Sequence, residues 1–77
     1  MRFQEHPTLK ELGEALGGGY HKGRRLVNSG VVGAIYYPGG RRARLEDANQ
    51  IIAEGLTPAQ REMYSKYVDD ESKGRAA

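Results

Sequence analysis

The sequence has no cysteine among its 77 residues. Disulfides and thiolate metal sites are therefore excluded. Aromatic residues are few, with five tyrosines, one phenylalanine and no tryptophan. Long apolar runs are missing too. No stretch approaches the roughly 20 residues needed to cross a bilayer, and no signal-peptide pattern opens the sequence. A cytoplasmic protein with no membrane partner is expected. The length allows one small domain, which would bury only roughly 60% of the surface the unfolded chain exposes. With 38% hydrophobic and 29% charged residues, the chain is too apolar to be wholly disordered.

Acidic residues are absent from the middle of the chain. Residues 17–45 carry Lys22, Arg24, Arg25, Arg41, Arg42 and Arg44 and no Asp or Glu, a local charge of +6. Residues 1–16 carry −1 and residues 46–77 carry −3, so the overall +2 conceals a basic centre between acidic ends. Clustering of this kind suggests a polyanion partner, usually nucleic acid. The plainer alternative is a solvated loop region that lacks acids.

Residues 1–7 show no period and form an N-terminal extension, and Pro7 keeps a helix from beginning earlier. Thr8 and Glu11 make the T-x-x-E pattern of a capping box. Leu9, Leu12, Gly13 and Leu16 then share one face at helical spacing. This predicts a helix over 9–16, stopped by Gly17. Gly17-Gly18-Gly19 is a tight connection. On a helix over 20–29, His21, Arg24, Arg25 and Asn28 fall on one arc, and Gly23, Leu26 and Val27 on the opposite arc. Gly23 costs about 1 kcal/mol of helix propensity. Its position on the buried arc suggests a close approach by a neighbouring helix, with Gly13 the residue to meet it. A loop is the alternative reading of this segment.

Gly30 ends the second element. Val31–Tyr37 is rich in β-branched and aromatic residues and predicts a strand. Pro38-Gly39-Gly40 is a turn, and Arg41–Leu45 the returning strand of a β-hairpin. A third helix is expected over 46–54, with Glu46 and Asp47 at the positive end of its dipole and Gly55 closing it. Thr57-Pro58-Ala59-Gln60 is a second start signal, for a helix over 58–68. From Asp69 onward a fraying charged tail is expected.

Catalysis has little support. His6 and His21 lie in unlike contexts, and no His, Asp or Glu cluster has metal-ligand spacing. Asp69-Asp70-Glu71 reads as solvation of the tail. Ser29 and Ser65 have no nucleophile-elbow context. Gly17-Gly18-Gly19 lacks the preceding strand and the G-K-[ST] ending of a phosphate loop. The expectation is a protein that is not an enzyme and needs neither cofactor nor metal.

The expected fold is mostly α with a small β-hairpin. Helix, short turn, helix, hairpin and helix is the order of a winged helix-turn-helix over residues 8–55, here with an additional C-terminal helix and charged tail over 56–77. The second helix would enter the major groove, where Arg24 or Arg25 reads guanine edges and Asn28 adenine edges. His21 and Lys22, at its start, would contact phosphates. Arg41, Arg42 and Arg44 on the wing would grip phosphates or enter the minor groove.

Three segments also carry a likeness to a known family. Thr8-Leu9-Lys10-Glu11-Leu12, Arg24-Arg25-Leu26-Val27-Asn28-Ser29-Gly30 and Tyr36-Tyr37-Pro38-Gly39-Gly40-Arg41-Arg42 resemble the opening helix, recognition helix and wing of temperate-phage excisionases. These are also called recombination directionality factors, and they have a MerR-like winged helix. The chain departs from the family pattern at Gly19 and Tyr20, where members often have a Ser or Thr cap, and in the residues after 55.

The resemblance implies a DNA-bending accessory protein that sets the direction of integrase-mediated recombination in prophage excision. Its partners would be double-stranded DNA with tandem sites near an attachment site, the integrase, and neighbouring copies of itself. Its location would be the cytoplasm of a bacterial host. Two other functions fit the residues. One is a small MerR-like transcription regulator. The other is a protein-interaction module docking through Ala59, Met63, Tyr64, Tyr67 and Val68.

Overall fold

The computed structural model describes residues 2–76. Thr8 opens the first helix, α1 (Leu9–Ala15). Its Oγ1 accepts from the Glu11 N–H at 3.0 Å, and Glu11 Oε1 accepts from the Thr8 N–H at 2.9 Å. Two orphan donors of the first turn are thus satisfied reciprocally. At the other end Gly17 takes φ +82°. Its N–H donates to the Glu14 carbonyl, and that of Gly18 to the Gly13 carbonyl at 2.8 Å. This pair of bonds is a Schellman closure, which needs a left-handed residue.

The second helix, α2 (Tyr20–Asn28), starts at Gly19 with no side-chain cap. It lies against α1 at backbone contact. A Cβ built on Gly23 would overlap the Leu9 carbonyl oxygen, and one on Gly13 would overlap the Gly19 carbonyl oxygen. The helix expected from the arcs is therefore formed, and the two glycines are the reason that the pair can close. Leu12 and Leu26 are sealed inside as a result.

The strand expected over 31–37 is shorter, and the hairpin begins later. Its strands are β1 (Ala34–Tyr37) and β2 (Gly40–Ala43), antiparallel, with Ala34 opposite Ala43 and Tyr36 opposite Arg41. Val31 and Val32 are both buried. Successive residues of a strand point to opposite faces, so two adjacent inward valines need a different backbone. The Val32 N–H donates to the Leu26 carbonyl instead. The returning strand expected to reach Leu45 ends at Ala43, because Arg44 caps the third helix and Leu45 belongs to it.

The hairpin is anchored at its base. Gly33 donates to Asp47 Oδ2 at 2.8 Å, and its carbonyl accepts from the Arg44 N–H at 2.9 Å. The described residues of the N-terminal extension, 2–7, have no helix or strand of their own and strap the other side. The Ala43 N–H donates to the Pro7 carbonyl at 2.8 Å, and Thr8 forms an isolated antiparallel bridge with Arg42. His6 Nδ1 accepts from the Leu45 N–H at 2.9 Å. It thereby supplies the cap that the Arg44 side chain does not. Phe3 pairs its N–H and carbonyl with the Asn49 amide.

The third helix, α3 (Leu45–Glu54), buries Ala48 and Ile51 and ends at Gly55, φ +75°. With Leu9, Leu12, Leu26, Val27, Val31, Val32 and Ala43 they make one core. No polar or charged side chain is buried among the described residues.

The fourth helix, α4 (Pro58–Ala76), departs furthest from expectation. Thr57 and Gln60 form the capping box that the start signal implies. The helix does not stop at 68, however, and the residues expected to fray continue it. Glu62 with Lys66 and Asp69 with Lys73 stand at the acid-then-base i,i+4 spacing that supports an exposed helix. Tyr64 packs on the core, and the Met63 methyl lies beside Gly30. Among the described residues the fold is thus four helices with one two-stranded antiparallel hairpin.

Candidate nucleic-acid interface

The burial of Gly23, Leu26 and Val27 against α1 and the core fixes the rotation of α2. His21, Arg24, Arg25 and Asn28 therefore turn outward. Arg24 and Arg25 remain about one third exposed, with side-chain values of 36% and 34%.

β-strand alternation divides the wing arginines. Arg41 shares a face with Tyr36 and reaches α2, where its guanidinium donates to Asn28 Oδ1 at 2.7 Å. Tyr36 itself is 78% exposed. Arg42 points to the opposite face. There it lies 5.6 Å from the Tyr37 ring centroid and donates to the His6 carbonyl. Arg44 sits beyond the strand and beside Glu46, at 3.7 Å.

The eight candidate residues accordingly fall into groups. Arg24, Arg25, Asn28 and Arg41 come together on one surface. His21 and Lys22 stand at the start of α2. The His21 ring meets Tyr20 edge-on at 5.7 Å, and the Lys22 stem runs over Gly18. Arg42 and Arg44 lie apart from both groups.

Two further residues join the central group, and both come from α4. The Asn28 amide donates to the Tyr67 hydroxyl at 3.2 Å, and that hydroxyl donates to Glu71 Oε2 at 2.9 Å. Arg24 Nη1 donates to the same oxygen at 3.2 Å, and Arg25 Nε to Oε1 at 3.3 Å. A continuous chain of polar contacts thus runs from the hairpin through α2 to α4. The Glu71 side chain is only 15% exposed, which corrects its placement in a solvated tail. Asp69 and Asp70, its neighbours in that acidic run, are exposed. The Tyr67 hydroxyl holds the Glu71 carboxyl below its ordinary value, partial burial opposes this, and Arg24 and Arg25 reinforce it.

The signal for Tyr67 and Glu71 was present in the sequence. Tyr64, Tyr67 and Glu71 continue one helical stripe at spacings of three and four.

Among the described residues no three His, Cys, Asp or Glu side chains group closely enough to hold a metal ion. The surface offers guanidinium, amide and hydroxyl groups, which suit charge-assisted hydrogen bonding to phosphate and bidentate contact with base edges. Compared with known proteins, the chain matches no family model, no curated protein and no solved structure.

Proposed function

We propose that this chain is a winged helix-turn-helix protein that binds double-stranded DNA in a sequence-dependent way and bends it. In this reading it is an accessory factor that sets the direction of integrase-mediated site-specific recombination. α1 and α2 are the helix-turn-helix pair, and β1–β2 is the wing. α2 enters the major groove with Arg24, Arg25 and Asn28 toward base edges. Arg41 follows the adjacent backbone or minor groove. Arg42, engaged with Tyr37 and His6, and Arg44, beside Glu46, add to the positive field around the wing.

The observation that carries the reading is the contact of wing and helix. Arg41 donates to Asn28 at 2.7 Å, so helix and hairpin present one polar surface with no acid from either element. The excisionase likeness of residues 8–55 supplies the recombination role. A domain this small makes few base contacts, so adjacent copies on tandem sites would add strength. Such contacts would also offset a bending cost of several kcal/mol.

A footprint of the purified protein on the DNA flanking its own gene tests the reading. Several adjacent protected sites beside an attachment core are expected. A single palindrome at a promoter would favour a transcription regulator instead. Absence of protection at low salt would refute DNA binding and leave a protein-docking role for α4.

A further inference from the structure

The Glu71 carboxylate occupies a site that its own chain builds. Among the described contacts, three donors converge on it from two helices: Tyr67 Oη and Arg24 Nη1 on one oxygen, and Arg25 Nε on the other. Two guanidinium groups and a hydroxyl aimed at a pair of anionic oxygens are also what a phosphodiester requires. Resting on the DNA-binding reading above, we propose that Arg24, Arg25 and Tyr67 form an anion site that takes a backbone phosphate of random DNA, from which the two arginines turn to base edges at the specific site, and that Glu71 fills it as an intramolecular stand-in until nucleic acid displaces it.

The setting favours exchange. The site lies at the surface, with both arginines about one third exposed. Ion pairs of this kind are individually weak. The rest of α4 does not have to leave. Tyr64 and Met63 hold its first half against the body, and the residues flanking Glu71, Asp70 and Ser72, are exposed. A change of Glu71 rotamer is enough to vacate the site and leaves Tyr67 in place to donate to the incoming phosphate.

Charge order fits the same scheme. α2 and the hairpin carry no acid of their own, so the carboxylate that neutralises Arg24 and Arg25 comes from another element. The self-filled site would lower affinity for every sequence and so suppress binding to random DNA. Specific DNA, which adds base contacts, would displace Glu71 more readily.

The test measures binding of the full chain to a labelled random-sequence duplex and to its footprinted site at low salt. The proteins are wild type, Glu71→Gln, Asp70→Asn, and Glu71→Gln combined with Arg24→Ala and Arg25→Ala. Glutamine keeps the side-chain shape and helix propensity, and Asp70→Asn makes the same change in net charge at an exposed neighbour. Glu71→Gln is expected to bind the random duplex about three- to tenfold more tightly than wild type, the scale of a few surface pairs released together. Asp70→Asn should gain less than about twofold, and the arginine substitutions should abolish the gain. Equal gains for Glu71→Gln and Asp70→Asn would overturn the proposal, as would a gain that survives loss of both arginines or no gain at all. In those cases wild-type binding would leave the DNA reading standing. Failure of both wild type and Glu71→Gln to bind either duplex would refute the DNA reading itself.

Discussion

Replacing Gly23 with alanine puts the α1–α2 contact under direct strain. The added methyl would overlap the Leu9 carbonyl oxygen, which is backbone and has no rotamer to change. The helices must separate, and separation loosens the packing of Leu12 and Leu26, both essentially unexposed. Overpacking of this kind costs about 1–3 kcal/mol, and backbone obstruction puts it at the upper end. Alanine returns about 1 kcal/mol through its better helix propensity. The expected net loss is about 2 kcal/mol, a large share of the roughly 4–12 kcal/mol available to a domain of this length. A domain this size loses about 4–8 °C of melting temperature per kcal/mol, so a fall of about 8–16 °C should appear in a thermal melt followed by circular dichroism. Gly39→Ala is the control. Its Cβ meets nothing within 4 Å and its φ is not positive, so its melting temperature should stay within a few degrees of wild type. If Gly23→Ala melts at or above wild type, the helices are not in backbone contact and the packing account is wrong.

Three further outcomes are expected. Thr8→Ala removes one half of the capping box and should lower stability by about 1 kcal/mol in urea titration; an unchanged midpoint would show that the cap contributes nothing. Bonds to the Thr8 backbone, and then to its side chain, hold the Glu11 carboxyl below its ordinary value of 4.5. A carboxyl lowered in the folded state stabilises the fold above that value, and the contribution disappears as pH falls through the folded pKa. Carbon-detected NMR titration should therefore place the Glu11 midpoint below 4.5, and a midpoint at or above it would contradict the capping geometry. Arg41→Ala should weaken binding to all sequences alike and make the salt slope shallower by about one, whereas Arg25→Ala should in addition relax sequence preference. Equal losses on specific and random DNA for both variants would remove the distinction between a gripping wing and a reading helix.

What could be read from the sequence was local. The capping box at Thr8 and Glu11, the stop at Gly17 and the turn at Pro38-Gly39 depend on neighbours a few residues away, and the structure has them where expected. The apposition of Gly13 and Gly23 was also legible, because helical arcs carry a phase that spans the connection. Val31 and Val32 misled because β-branched composition reports burial as readily as strand pairing. The N-terminal strap has no period, so the roles of Phe3 and His6 could not appear in a periodicity argument. The continuation of α4 past residue 68 was signalled only by the stripe of Tyr64, Tyr67 and Glu71, whereas the pairing of Glu71 with Arg24 and Arg25, 47 and 46 residues away, was hidden. Arg24, Arg25 and Asn28 share a surface because α2 has a fixed rotation, and Arg41 joins them because strand alternation turns it to that side. Arg42 and Arg44 do not, because alternation sends one to the far face and the helix start claims the other.

The hairpin behaves mechanically as a cantilever clamped at its root. Gly33 and Arg44 are tied to each other and Gly33 to Asp47, while Ala43 is held by Pro7 and Leu45 by His6. In the proposed DNA-binding role, a spacing between hairpin and α2 that is set before contact would let a duplex engage both at once with little loss of ordering entropy. Residues of a stretch without regular structure thus help to fix the root of the hairpin against the body.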